Sequence, residues 1–260
     1  MINLYGRRNS INVQKVSWAL CELNLDFKWH DEHGKFGTVN VENYENLNPQ
    51  LIVPTLDHKG SIIKQSNAIV RYLYRKYTDV YKISKDEDIA IAESWMEFQT
   101  TDLQLNMTPV FWGLVRNPPE DRDQQLIDKN IILLNKKFEI FDKFLEGREY
   151  ILNNEFGMSD IIMGVASYRY HSLPIERPNL SNLKNWYEKI SQRKCFKNNI
   201  VHNDDCTQDS SSEEMISILH NIKKLGDEYL VKIALEVLYL NVYCSYTGAI
   251  PLTNNFLYQR

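Results

Sequence analysis

The stretch "NPQLIVPTLDHKGSIIKQSNAIVRYLYRKY", Asn48 to Tyr77, decides the fold. A strand-like run over Ile52–Leu56 is interrupted by Pro54, turns at Asp57–Gly60, resumes as an alternating strand over Ser61–Lys64, and passes through Gln65-Ser66 into a helix from about Asn67. Proline removes a ladder donor and normally sits at strand edges or turns. With a cis Val53-Pro54 bond, the amide and carbonyl of Val53 would point outward and could pair with an extended peptide. At the helix entrance, a serine hydroxyl and free backbone N–H groups together suit a carboxylate. A docking strand and an anion pocket about a dozen residues apart fit a small acidic peptide. The plainer readings are a trans proline at a strand start and a serine that only caps its helix.

Working outward toward the N-terminus, Ile2–Tyr5 reads as a short buried strand and "GRRNSIN" as a turn. From Asn12, Val13, Val16, Leu20 and Leu23 fall near helical spacing, with Trp18 and Ala19 widening the apolar face, until Asn24 closes the helix. "DFKWHDEH" alternates like a second strand, "GKFG" is a loop, and a short helical segment follows at Val41–Leu47. The order β-α-β-α-β-β-α predicts an α+β, thioredoxin-like domain over 1–80. Toward the C-terminus, "IAIAESWMEFQTTDLQL", "QQLIDKNIILLNKKFEIFDKFLEG" and "LSNLKNWYEKISQR" carry helical periodicity, predicting an all-α helical-bundle domain over 85–202. Residues 203–260 read as a polar, Ser-rich linker, Asn203–Glu214, and a helical C-terminal extension. Its apolar run contains Lys232, Glu236 and Asn241, which makes a poor membrane span.

Composition narrows the function classes. The 260 residues carry 43% hydrophobic and 25% charged side chains, as a soluble globular protein with a core does. A net charge of −4 supplies no footprint for a nucleic-acid backbone. Cys21, Cys195, Cys206 and Cys244 lack C-x-x-C spacing and the six histidines form no ligand pair, so neither a disulfide framework nor a metal site is expected. Cys21 reads as a small core residue of its helix. The N-terminus shows no export signal, and a reducing, cytoplasmic location is expected.

Seven collinear segments carry a resemblance: "NSINVQKVSWALCEL", "FG", "LNPQLIVPTL", "KQSNAIVRYL", "VFWGLVRNPPEDRD", "FGMSDIIMGVASYRY" and "LPIERPNLSNLKNWYEKISQRKCF". Over about residues 2–202 the chain resembles a bacterial cytosolic glutathione S-transferase of the theta-like, serine-type group. The resemblance implies a thioredoxin-like domain that binds glutathione and a helical domain that binds an electrophile. It implies that Val53, beside a cis Pro54 and next to Ile52, pairs with the cysteinyl part of glutathione, and that Gln65 and Ser66 hold the γ-glutamyl group.

The chemistry needs a thiolate, and a hydroxyl donor at the positive end of a helix favours one. Ser10 lies in the turn before the first helix and matches the family's catalytic serine; a pure helix cap is the plainer role. Asn12 is a second candidate donor. No cysteine occupies that turn, which speaks against the omega- and beta-type pattern. Phe36 is expected to flank glutathione from its loop. Phe111 and Trp112, on a helix after Pro109, are expected to face the electrophile, with core packing as the alternative. "YRYHSLPIERP" contributes Tyr168 and Arg169 on the same side, Arg169 reading as a structural ion-pairing residue rather than a catalyst, and His171 has no special role. Two departures stand out: Gln50-Leu51 replaces a glycine-containing turn before the docking strand, and Gly157 replaces Ser/Thr in the capping box ahead of Asp160.

The function expected is conjugation of glutathione to a small hydrophobic electrophile by a homodimer, with glutathione as co-substrate and no other cofactor, no metal, no nucleic acid and no membrane. The alternatives are glutathione-dependent peroxidase, dehalogenase or isomerase chemistry at the same site, or a non-catalytic binding or scaffold protein.

Overall fold

The computed structural model describes residues 1–31, 41–117, 119–152 and 155–200, with the backbone alone at 41–43. Phe36 and the extension 203–260 lie outside the described residues. The first unit runs β1 (Ile2–Tyr5), α1 (Ile11–Glu22), β2 (Phe27–His30), α2 (Val41–Leu47), β3 (Thr55–His58), β4 (Ser61–Lys64) and α3 (Ser66–Tyr77). Its sheet has the order β2-β1-β3-β4, with β1 parallel to β2 and β3 antiparallel to both of its neighbours. This is the thioredoxin-like α/β arrangement.

β3 begins at Thr55, three residues later than Ile52. Two side chains take up the acceptor that a ladder would have used. Tyr44 Oη (2.7 Å) and Asn48 Nδ2 (2.8 Å) both donate to the Ile52 carbonyl, and both also reach Thr55 Oγ1, at 2.7 and 3.0 Å. Pro54, with no N–H to give, follows a cis bond from Val53. The segment is therefore pinned by side chains outside the sheet. Leu51, where a glycine was expected, takes φ 53°, a left-handed conformation unusual for a branched residue.

The helical unit comprises α4 (Val80–Ile83), α5 (Asp86–Phe98), α6 (Gln104–Phe111), α7 (Gln124–Phe144), α8 (Met158–Ser172), α9 (Ser181–Ser191) and α10 (Lys194–Asn199). Five-residue π-segments, Gln99–Leu103 and Trp112–Arg116, flank α6, and Pro109 lies inside it. At the head of α8, the Gly157 N–H donates to Asp160 Oδ2 at 3.0 Å, so the box closes without a Ser/Thr hydroxyl. Asp160 Oδ1 accepts from Trp186 Nε1 (2.8 Å) and the Ile151 N–H (3.0 Å). Burial nonetheless pushes the Asp160 carboxyl up to about 6.

α1 joins the two units. It packs on α3, α8 and α10, and Val13 to Leu20 is buried without interruption, so the one-sided amphipathic pattern gives way to a helix enclosed all round. Trp18 packs against Phe156 and Phe196, with Gly164 beneath it; a Cβ there would approach the indole to 2.9 Å. Glu22 receives both Nε (2.8 Å) and Nη2 (2.6 Å) of Arg193.

Cys21 and Cys195 are joined in a disulfide, Cα to Cα 5.7 Å, which corrects the reading of Cys21 as a free core residue. The partners are 174 residues apart, and no local spacing could reveal a contact that only the docking of α10 on α1 creates. Among the described residues, no helix is long and apolar enough to cross a membrane, and no group of three His, Cys, Asp or Glu side chains is placed to hold a metal ion.

Candidate active site

The turn from β1 into α1 collects the residues on which the thiol chemistry was placed. Gly6 opens it at φ +143°, with its N–H on the His30 carbonyl at 3.0 Å. A Cβ at Gly6 would lie 2.5 Å from Val13 Cγ2 and 3.0 Å from Val53 Cβ, so glycine lets the turn close against the Val53-Pro54 segment. Among the described residues, no hydrogen bond engages the N–H or C=O of Val53. Ser10 is the N-cap of α1 and is only 7% exposed, yet its hydroxyl makes no capping bond.

Two residues later, Asn12 Oδ1 accepts from Lys15 Nζ (3.1 Å) and Ser66 Oγ (3.3 Å). That engagement fixes which end of the Asn12 amide faces the protein, leaving the NH₂ as its outer face. Ser66 is the first residue of α3 rather than its cap. Gln65 is the cap, held at φ 67°. Ser10 and Asn12 thus lie at the N-terminal end of α1, Gln65 and Ser66 at that of α3, and Val53 on the segment ahead of β3; the Ser66–Asn12 bond and the approach of Val53 to Gly6 bring the three segments together.

Lys15 went unnoticed in the sequence, where it looks like one more polar residue of an amphipathic helix. It is 2% exposed, and its ammonium donates to Gln99 Oε1 at 2.6 Å and to Asn67 Oδ1 at 3.4 Å as well as to Asn12. All three of these partners are neutral. Burial holds the Lys15 ammonium down to about 7. Asn67 in turn donates to the Met96 carbonyl (2.9 Å) and Thr100 Oγ1 (3.0 Å). A buried polar cluster therefore runs from the start of α1 to the π-segment of the helical unit; such segments recur at functional sites. A lysine inside the run "VQKVSW", with apolar neighbours on both sides, was the available signal.

On the helical side, Phe111 ends α6 partly buried, while Trp112 is 50% exposed and so is no core residue. The guanidinium of Arg169, on α8, lies 4.1 Å from the Phe111 ring centre, and that of Arg116 lies 5.3 Å from Phe111 and 4.9 Å from Trp112. Arg169 was expected to pair with an acid; among the described residues it has no carboxylate within ion-pair distance. Tyr168 meets Phe196 edge to face, and burial with the neighbouring Arg177 charge holds His171 down to about 4.

Comparison with known proteins shows which family this fold belongs to. Residues 4–80 match the glutathione S-transferase N-terminal domain and residues 103–194 its C-terminal domain. Glutathione S-transferase GstB of Escherichia coli strain K12 is 34% identical over 196 residues, covering 74% of this chain and 94% of that protein. Glutathione S-transferase 3 of Zea mays is 25% identical over 210 residues, covering 77% of this chain and 93% of its own. The crystal structure of the theta class glutathione S-transferase from Xanthomonas axonopodis pv. citri with glutathione bound superimposes with a TM-score of 0.72 at 30% identity, covering 77% of this chain and 97% of that one. The chain belongs to the glutathione S-transferase family.

Proposed function

We propose that the protein conjugates the thiolate of glutathione to a small hydrophobic electrophile, by the serine-type route. The observation that carries this reading is the Ser10 hydroxyl, which sits at the start of α1 and is not consumed in capping that helix. A free thiol near pKa 8.5 is only a few per cent ionised at neutral pH. A hydrogen bond from Ser10 Oγ, with the partial positive charge at the head of α1, stabilises the sulfur anion. The thiol proton leaves to water. Sulfur then forms a bond to the electrophilic carbon, and the leaving group departs with its bonding electron pair. Asn12, through the amide NH₂ that Lys15 and Ser66 leave facing outward, is the second donor to sulfur.

In this reading Val53, beside Ile52 and Pro54, pairs with the cysteinyl backbone of glutathione. Gln65 and Ser66 receive the γ-glutamyl group, Phe36 flanks the peptide, and Phe111 and Trp112 bound the electrophile. Holding both reactants in one cleft supplies the remaining acceleration. The proposal extends to domains at 1–80 and 85–202, a homodimer, glutathione as co-substrate with no further cofactor, and a cytoplasmic location.

Titration calorimetry with glutathione, followed by a turnover screen of aryl halides, alkyl halides and hydroperoxides, tests it. Micromolar-to-millimolar binding with conjugate formation is expected. Glutathione binding with peroxide reduction alone would shift the chemistry to the peroxidase alternative, and no binding would leave only a scaffold role.

A further inference from the structure

A lysine ammonium has three N–H donors and no acceptor, and the fold gives Lys15 three oxygens: Gln99 Oε1 at 2.6 Å, Asn12 Oδ1 at 3.1 Å and Asn67 Oδ1 at 3.4 Å. They come from three segments: the π-segment Gln99–Leu103, α1 and α3. Each belongs to a side-chain amide, a group able to turn either end inward. Two of the three amides are fixed without the lysine. The Met96 carbonyl, which only accepts, takes Asn67 Nδ2 at 2.9 Å, so Asn67 turns its oxygen toward Lys15. Gln99, 1% exposed, gives its Nε2 to Gln104 Oε1 at 3.3 Å, and Gln104 Nε2 passes on to Thr108 Oγ1 at 2.8 Å.

Among the described residues, Asn12 has no such anchor. Its second contact is Ser66 Oγ at 3.3 Å, and a hydroxyl that can donate or accept would hold either end of the amide. Only the ammonium discriminates. Lys15 lies about one turn from Asn12 on the same face of α1, and among the described residues no carboxylate is within ion-pair distance of it. A buried ammonium with neutral partners alone is costly for the fold, so its retention points to a task. We propose that Lys15 is a positioning residue for the thiol chemistry: it holds the Asn12 amide with its NH₂ outward, so that Asn12 donates to the glutathione sulfur. This rests on the transferase reading given above. A turned amide would set the lone pairs of Oδ1 against the sulfur anion. The ammonium also polarises the amide it holds, which strengthens the N–H bond on the far side. Lys15 acts through Asn12 and needs no contact with glutathione itself.

Thiolate absorbance of the glutathione complex is titrated against pH in the wild type, Asn12→Ala, Lys15→Met and the double variant, with glutathione affinity followed by calorimetry. Asn12→Ala is expected to raise the pKa of the bound thiol by about one unit, the scale of one hydrogen bond to a charged sulfur, leaving about tenfold less thiolate at neutral pH. Lys15→Met is expected to do the same. In the double variant the two shifts are expected to coincide rather than add, because both remove one donor. Lys15→Gln, which stays polar but offers an acceptor as well as donors, is expected to titrate like Lys15→Met.

A bound thiol that titrates alike in the wild type and Asn12→Ala overturns the inference with Lys15 intact, so a Lys15→Met that fails to fold cannot shelter it. A lower melting temperature of Lys15→Met or Lys15→Gln with an unmoved thiol titration would make Lys15 a structural strut and overturns it too. So do shifts that add in full, which would mean that the ammonium acts on sulfur without the amide. Glutathione that does not bind the wild type, or binds with its thiol titrating as in free solution, would sink the transferase reading and this inference with it. A lowered thiol pKa that only Ser10→Ala raises would sink the inference alone.

Discussion

Ser10 and Lys15 are a little over one helical turn apart on α1 and are solved differently by the fold. Ser10 keeps its hydroxyl out of the helix cap, where the proposed chemistry needs it. Removing it in Ser10→Ala takes away one hydrogen bond to a charged sulfur, about 1.5–3 kcal/mol, which at 1.36 kcal/mol per pKa unit raises the bound thiol by about one to two units. Thiolate absorbance of the glutathione complex against pH reads this shift, with affinity for glutathione little changed; an unmoved titration would hand the role to Asn12 or to backbone donors.

Lys15 is spent on the protein itself. Its ammonium titrates near 7 in the folded state and near 10.5 when unfolded. Below pH 7 both states hold the proton and the cost of burying the charge stands in full. Between those values the unfolded chain keeps a proton that the folded one has released, so this group makes stability rise with pH. Urea midpoints measured from pH 7 to 9 are expected to climb more steeply in the wild type than in Lys15→Met, and parallel curves would mean that Lys15 stays charged.

At the scale of elements, the segment that presents Val53 shows how a loop is held without a ladder. Tyr44 and Asn48 grip Ile52 and Thr55, and Leu51 pays the conformational cost at φ 53°. A branched residue in the left-handed region costs roughly 1–2 kcal/mol, and glycine gives back about half of that in chain entropy. Leu51→Gly is therefore expected to stabilise by about 0.5–1 kcal/mol, a rise in melting temperature of roughly 1–4 °C for a chain of this size. A lower melting temperature would show that the exposed leucine makes contacts worth more than its backbone strain.

The same segment marks how far the sequence could be read. Periodicity placed β1, α1, α2, β4 and α3 within a residue or two, because each keeps a strong local pattern. β3 was set too early: apolar Ile52 and Val53 look like strand, but Tyr44 and Asn48 take the Ile52 carbonyl and Pro54 has no N–H to give a ladder. Phe111 and Trp112 could be placed on one helix from "TPVFWGLV", but the π-segment that begins at Trp112 could not. The place of Lys15 in a buried polar cluster was hidden for a physical reason. A charged side chain in a sequence looks solvated until the fold shows what covers it.

At the scale of the whole molecule, the two units meet along α1, and the last described helix returns to seal that contact. Trp18, Glu22 and Cys21 face α8 and α10 from neighbouring turns, joining an aromatic contact, a forked ion pair and a covalent bond in one strip. The connection between α3 and α5 is by contrast slight: α4 is one turn long, and Ile83 is 74% exposed. A specific protease site inserted between Ile83 and Asp86 should therefore be cut while the fold stands. The expected gel shows one band of near full mass without reductant and two fragments with it, and fragments that part without reductant would show that Cys21 and Cys195 are free thiols. Cut there, the transferase becomes a two-chain protein whose halves are made from one gene and, once denatured, come apart only when two electrons are delivered to a single sulfur pair.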